Sequence, residues 1–385
     1  METIAFTSLS PGRLAPTIGG AVAFVPQPAP RRLALDAATV VLLARAQHQL
    51  GVLSGAAGQL VNPLLIGAPL LRQEAILSSR IEGTIATPEQ LVLSELGAEP
   101  QPPDARDVQN FVRAMQHALD AVRRGEPIAS RLLLGAHGTL MAGARGAGER
   151  PGEFRDAQNF IGTTADIRSA RFVPPPHTEL ASLLSDFETF VNVDAPELPH
   201  LVRAAIAHYQ FETIHPFRDG NGRIGRLLVL LMLVRDGLVP GPIVPISSFL
   251  ERHRDAYTAR LFRVSTEGAW QEWIAFFLEA ILHASEQAAR QVDGLIALHA
   301  EWQGRFQSAR SSALLLKLVD ALFKRPAITI GGAAKLLRVT PASASANLAK
   351  LERAGIVAEV TGRTRNRIYV ARELLRFMGG GGERR

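Results

Sequence analysis

HPFRDGNGRIGR, residues 215–226, crowds a histidine, an acid, three glycines, an asparagine and three arginines into twelve positions. The most apolar run of the chain, LLVLLMLV (227–234), follows directly. LPHLVRAAIAHYQFETI (198–214), a strong helical pattern with Pro199 tolerated in its first turn, precedes it. The polar stretch is therefore the approach to the start of a buried helix that runs to Gly237. The first backbone N–H groups of a helix lack intrahelical partners and carry partial positive charge, which suits phosphate. Gly220 and Gly222 let the backbone come close to such a ligand. Arg223 and Arg226, three apart, are expected on one helical face as two guanidinium forks for a polyphosphate. Asp219 offers an oxygen to a hard cation such as Mg²⁺. His215 stands before the cradle, placed to take a proton from an incoming nucleophile. Singly, each residue fits a duller role: a tight turn, a solvated face, a helix cap. All of them together ahead of a buried helix fit it poorly.

Outward from this motif, the 385 residues suffice for two or three domains, with 47% hydrophobic and 20% charged residues, as in a soluble protein. No run of 18 apolar residues and no signal-peptide pattern is visible, so no membrane partner is expected. The absence of cysteine removes disulfides, thiolate ligands and a cysteine nucleophile. These features together predict a cytoplasmic protein. The net charge of +6 is unevenly spread: residues 305–378 hold 14 Lys and Arg against 4 Asp and Glu, and the remainder holds 28 against 32.

The pattern predicts an irregular arm over 1–35, a helix over 35–53, and a helix ending at Gly83. A Pro-rich linker (97–105) and helices over 107–123 and 130–140 follow. NFIGTTADIRSARFVPPPH (159–177) reads as two short extended runs around a turn. Helices resume near Thr178, and two more cover 247–264 and 269–300. GGGGERR (379–385) reads as a disordered tail.

The twelve residues match every fixed position of H-P-F-x-D/E-G-N-G-R-x-x-R, the signature of the Fic (filamentation induced by cAMP) family. The resemblance extends to FRDAQNFIG and FVPPPH, similar to the family's flap hairpin. ISSFLERHRDAYTARL and EGAWQEWIAFFLEAI are similar to its closing helices. SSRIEG (78–83) fits its inhibitory pattern, and in all residues 20–375 are covered. The resemblance implies a mainly α fold: a Fic helical-bundle core with a small β-hairpin flap, plus a C-terminal winged helix-turn-helix. The boundaries it implies are 1–100 for an N-terminal region with an inhibitory helix near 70–83, 101–300 for the catalytic core, and 305–378 for the winged helix.

The same resemblance implies transfer of AMP from ATP to a Ser, Thr or Tyr hydroxyl of a target protein, with release of pyrophosphate. By motif position, His215 is the general base and Asp219 holds Mg²⁺. Gly220, Asn221, Gly222, Arg223, Gly225, Arg226 and Tyr257 serve ATP. Relatives often carry a Tyr after the position of Tyr257, where this chain has Thr258. Ile161 and Gly162 belong to a flap that adds a target segment as a strand. Glu82, with Ser78 and Gly83, is expected to reach Arg226, occupy the γ-phosphate's arginine and restrain the enzyme. Self-modification and a homodimer are implied as further partners.

The basic C-terminal segment has the order helix, helix, helix, hairpin, with Thr340 as an N-cap and Pro341 as first helical residue. Arg363, Arg365 and Arg367 in the wing are candidates for DNA phosphates, while PASASANLAK has few side chains able to read base edges. Two alternatives stay open: a Fic-fold enzyme with a different transferred group or a de-AMPylating activity, and a nucleotide-sensing DNA-binding regulator.

Overall fold

The structure is a computed structural model, and it describes residues 6–58, 64–143, 150–162, 164, 166–193, 197–306 and 312–379. The chain is mainly helical with two small antiparallel sheets. Its elements in order are β1 (Gly12–Pro16), β2 (Val22–Pro26), α1 (Ala37–Gly58), α2 (Leu64–Ile81), α3 (Pro88–Glu95), α4 (Pro103–Arg123), α5 (Ser130–Leu140), α6 (Leu180–Asn192), α7 (His200–Ile214), α8 (Asn221–Arg235), α9 (Ser247–Arg252), α10 (Arg254–Glu267) and α11 (Trp270–Gly304). The C-terminal module follows with α12 (Ser312–Lys324), β3 (Ala327–Thr329), α13 (Ile330–Leu337), α14 (Pro341–Arg353), β4 (Ala358–Glu359), β5 (Ile368–Val370) and α15 (Arg372–Met378). Among the described residues no helix is long and apolar enough to cross a membrane.

The core is built around α7 and α8, which pack on each other, with α4, α5 and α11 around them. Leu227, Leu228, Val229, Leu231 and Met232 of α8 are buried all round. Burying each contributes about 1.5–3 kcal/mol relative to leaving it in water. Such a helix cannot shift easily, so its polar N-terminus is held rigidly against the body.

Several expectations are corrected. Residues 1–35 are not an irregular arm throughout, because β1 and β2 form a hairpin in register Gly12 with Pro26, turned by Gly19 and Gly20 at positive φ. The strands are too short and too evenly apolar to show a period of two; pairing and packing make them. The 97–105 linker is shorter than expected, since Pro103 opens α4 at its first turn. Ahead of it lies α3, started by a capping box of Thr87 and Gln90. Pro199 caps α7 rather than lying within it. The helix expected over 247–264 is broken at His253 (φ −117, ψ 34) into α9 and α10. The flap does not form two strands: among its described residues the pairing is a single bridge, Ile161 with Phe172, and residues 167–169 form a 3₁₀ turn begun by the Asp166 side chain. The C-terminal module adds β3 and α15 to the expected order, giving a three-stranded sheet of order β3-β5-β4. The tail expected over 379–385 lies, from 380 on, outside the described residues.

The N-terminal arm contacts both α10 and the flap. Thr7 N donates to Thr266 O (2.8 Å) and Phe24 N to Val173 O (2.9 Å). The rings of Phe24 and Phe172 lie 6.0 Å apart.

Candidate active site

Helix α7 ends because His215 takes the left-handed conformation (φ 49, ψ 60), which is uncommon outside glycine. Arg155 satisfies the carbonyls around that reversal. Its Nε donates to His215 O (2.9 Å), its terminal nitrogens donate to Pro175 O (2.6 Å) and Ala157 O (3.2 Å), and its amide donates to Pro216 O. Burial pulls the Arg155 guanidinium down to about 10, so it stays charged at neutral pH.

The loop from Phe217 to Asn221 is closed by the Asn221 side chain. Its Oδ1 accepts from Phe217 N (2.8 Å) and its Nδ2 donates to Phe217 O (2.9 Å). Asn159 of the flap donates to the same carbonyl (3.0 Å). His137 stacks on Phe217 with 3.9 Å between ring centroids. Its Nδ1 accepts from the amide of Gly152 (3.0 Å), so the proton sits on Nε2 and is donated to Asp219 O (3.1 Å). Burial pushes His137 down to about 4, which keeps that neutral tautomer. Gly220 begins α8 at φ 78, a conformation that favours glycine.

This loop leaves His215 against a cavity of about 430 Å³, lined also by Glu82, Gly222, Arg226, Ile161 and Tyr257. The Nδ1 of His215 lies 3.1 Å from Glu212 O. A carbonyl only accepts, so Nδ1 carries the proton and Nε2 keeps its lone pair. Burial pushes the ring down to about 4, leaving it neutral near pH 7. A neutral imidazole with a free Nε2 is the form a general base needs.

Arg226 is fully buried (1% exposed) and held by α2. Its Nε donates to Ser78 Oγ (2.7 Å), and a terminal nitrogen donates to Ser78 O (2.9 Å) and to Glu82 Oε1 (2.7 Å). Burial works to raise the Glu82 pKa, but the charge and hydrogen bond of Arg226 outweigh it and hold the carboxyl below its ordinary value. Glu82 still keeps 36% of its side-chain surface open. Gly83 follows at φ 84, ending the α2 turn. A Cβ at Gly222 would come 2.2 Å from Glu82 Oε1 and 2.9 Å from the Arg226 guanidinium. Glu82 thus lies directly over the backbone at the start of α8.

Not all motif residues converge. Arg223 does not share the region of Arg226: its guanidinium lies 3.6 Å from Asp219 Oδ2 and 3.9 Å from Met141 Sδ. Sixty degrees or so separate residues three apart on a helix, enough to send two long side chains to different neighbours. Asn221 has both ends of its amide bound to Phe217, so its side chain shapes the loop. Gly225 faces α7: a Cβ there would come 2.2 Å from Glu212 Oε1, and its carbonyl accepts from His208 Nδ1 (2.9 Å). These three residues and Gly220 are not among those lining the cavity. Tyr257 does line it, with its hydroxyl donated to His208 Nε2 (2.6 Å). Ile161 and Gly162 form the rim, with Gly162 passing close to Ala170. Asp219 is 60% exposed, and its Oδ1 accepts from the amide of Gly220 (2.6 Å). Among the described residues no group of three His, Asp or Glu is placed to hold a metal.

Sequence reading missed Glu212, Arg155 and His137. Glu212 lines the cavity beside Arg226, and burial pushes its carboxyl up to about 8. Its Oε1 has no hydrogen-bond partner among the described residues. Its place three residues before His215, in the last turn of α7, was the available signal.

The start of a buried helix, one buried arginine, a neutral imidazole and the carboxylate of Glu82 thus face a single cavity within a helical bundle. Residues 40–120 match the Fic/DOC family N-terminal model, and residues 127–233 match the Fic/DOC family model. Over these two stretches the chain belongs to the Fic/DOC family. It is similar to the protein adenylyltransferase Fic of Culex quinquefasciatus (37% identical over 129 residues, 33% of this chain and 23% of that one). It is also similar to that of Drosophila yakuba (32% over 168 residues, 42% and 31%). The match thus spans between about a quarter and a third of the length of these curated relatives. A Fic family protein from Desulfovibrio desulfuricans G20 shares the fold, with a TM-score of 0.56 and 22% identity over 90% of this chain and 98% of that one.

Proposed function

We propose that the chain is a protein adenylyltransferase restrained by Glu82. The observation that carries this reading is the seat of Glu82 over Gly222 and on Arg226, in the same cavity as the free Nε2 of His215. A carboxylate in that seat fills a place suited to the outer phosphate of a nucleoside triphosphate. The curated relatives are named as adenylyltransferases, which favours ATP.

In the active form Glu82 leaves, and Arg226 takes the terminal phosphate of ATP. The amides that open α8 face the phosphates and stabilise charge as it develops. Arg223, paired with Asp219, lies beside the phosphate path. Asp219 is the residue to hold Mg²⁺: its carboxylate is exposed, with Oδ1 on the Gly220 amide (2.6 Å) and Oδ2 3.6 Å from Arg223, and it suits a cation that takes most ligands from water and phosphate. That ion, when bound, neutralises phosphate charge. The target hydroxyl gives its proton to His215 Nε2, and its oxygen attacks the α-phosphorus. The bond from that phosphorus to the bridging oxygen breaks, and pyrophosphate leaves. The new bond joins AMP to the target Ser, Thr or Tyr. Ile161 and Gly162 at the rim hold the target segment through backbone hydrogen bonds. Incubation with ATP labelled on the α-phosphate tests the reading: label should enter protein, and ATP labelled on the γ-phosphate should leave none.

The C-terminal module is, in this reading, a winged helix. Arg363 and Arg365 are exposed on its wing, Arg367 adjoins them, and α14 presents Pro341, Ala342 and Ala346. These features favour contact with duplex phosphates over reading of bases. A gel shift that fades steeply between 50 and 200 mM salt, at about 10³-fold or more for six contacts, is the expected signature.

A further inference from the structure

Helix α2, which carries Ser78 and leads into Glu82, also packs against α12 and α15 of the C-terminal module. A charged link runs between them. Arg72 of α2 is buried and gives two nitrogens to the two oxygens of Glu95 (2.9 Å each). Arg325, just past α12, lies 3.9 Å from the same carboxylate. Helix α15 is wedged in turn. The ring of Phe377 lies where a Cβ at Gly294 of α11 would meet it at 2.9 Å, Trp302 Nε1 donates to Glu373 Oε2 (3.3 Å), and Gly379 adjoins Pro88 of α3.

Helix α2 itself is poorly suited to a permanent core. Arg72, Gln73, Glu74, Ser78 and Ser79 are all buried on it. Gln73 and the hydroxyl of Ser79 have no hydrogen-bond partners among the described residues, and a buried polar group left unpaired is costly. Pro69 removes an amide from its interior. Its seat is therefore held from outside as much as by its own contacts.

We propose that the C-terminal module is the clamp that keeps α2, and with it Glu82, on Arg226. A displacement of α12 and α15 frees the last turn of α2 and opens the phosphate site. The module thereby couples any event on its own surface to the cavity, through packed elements that both sites share. This inference rests on the restraint assigned to Glu82 above.

The test uses the full chain with Phe377→Ala, which loosens α15. Arg325→Glu, at a half-exposed site where a folding defect is not expected, sets an acid against Glu95. Each is made with and without Glu82→Gly. Both variants should speed amide hydrogen exchange in residues 70–82 while leaving exchange in α8 unchanged. Both should raise AMP transfer about fivefold or more, the lower range of allosteric coupling, and add nothing in the Glu82→Gly background. Unchanged exchange over 70–82 in both variants overturns the clamp. An equal rise in transfer with and without Glu82 overturns it too. If Glu82→Gly alone leaves transfer at the wild-type level, the restraint by Glu82 fails, and faster or unchanged exchange over 70–82 then decides the clamp.

Discussion

Glu82 and Arg226, 144 residues apart in sequence, meet at 2.7 Å directly above the first turn of α8. One carboxylate thereby occupies both a buried guanidinium and the space that a glycine at 222 leaves open. Glu82→Gly removes both obstructions and keeps Ser78 on Arg226. The expected outcome is a rise in AMP transfer of at least about tenfold, equivalent to about 1.4 kcal/mol, measured as incorporation of α-label into the chain itself.

Gly222→Ala separates the two functions of that space. A Cβ there would stand 2.2 Å from Glu82 Oε1, so the ion pair must loosen. The methyl group also stays where, in the proposed reaction, a phosphate would approach the backbone. The variant should therefore fail to show the activation seen with Glu82→Gly, and adding Glu82→Gly should not restore transfer. Equilibrium binding of a fluorescent ATP analogue checks this, with weakened affinity expected in both forms.

His215→Ala removes the free Nε2 and should lower transfer by about 10²–10⁴ in the Glu82→Gly background, with ATP affinity kept. In the nucleotide-free chain the ring should remain neutral from pH 8 down to about pH 5, because burial holds it near 4. Nitrogen chemical shifts of the labelled imidazole report this directly, and a titration midpoint near 6.5 would remove the buried environment assigned to it.

Stability against pH follows from the same burial. His137, His208 and His215 are pushed down to about 4, 3 and 4. The unfolded chain binds their protons below about 6.5 and the folded chain does not, so stability falls as pH drops from 6.5 toward 4. Glu212 acts in the opposite sense. Its carboxyl is pushed up to about 8, so the folded chain retains a proton that the unfolded chain loses above about 4.5, and stability falls as pH rises toward 8. Glu74 and Asp107, also raised by burial, add to that slope. The histidines oppose the acids between the ordinary values of 4.5 and 6.5, and each set acts alone outside that range, so the maximum should lie between about 4.5 and 6.5. Urea midpoints across pH 5–8 measure it, and Glu212→Gln should flatten the alkaline side.

Arg155 carries much of the active-site backbone. Arg155→Met would leave the carbonyls of His215, Pro175 and Ala157 without this donor in a buried place. At about 1–3 kcal/mol for each buried group left unpaired, a loss of roughly 3 kcal/mol or more is expected, seen as a lower urea midpoint with unchanged slope.

The motif was legible because it is local. Turn glycines, a helix start and an apolar helix are written within twenty consecutive residues, and their geometry follows from backbone preference alone. The supporting residues are distant in sequence. Nothing in RPGEFRD announces that Arg155 reaches His215, or that His137 stacks on Phe217, because those contacts depend on how α5 and the flap pack on α8. Spacing also misled where it was trusted too far. Arg223 and Arg226 share a helical face, yet the neighbours of each side chain, Asp219 for one and Ser78 with Glu82 for the other, decide where they point. The hairpin of β1 and β2 was hidden by its shortness, since five residues cannot display a convincing alternation. The break at His253 was hidden because both sides of it are good helix.

The most direct test follows the label. Glu82→Gly is incubated with ATP carrying the label on the α-phosphate and, separately, on the γ-phosphate, and Glu82→Gly with His215→Ala is treated in the same way. Protein should acquire α-label and no γ-label, and the loss of His215 should reduce that signal by about 10² or more. Transfer of γ-label, or α-label that persists undiminished without His215, would contradict the account.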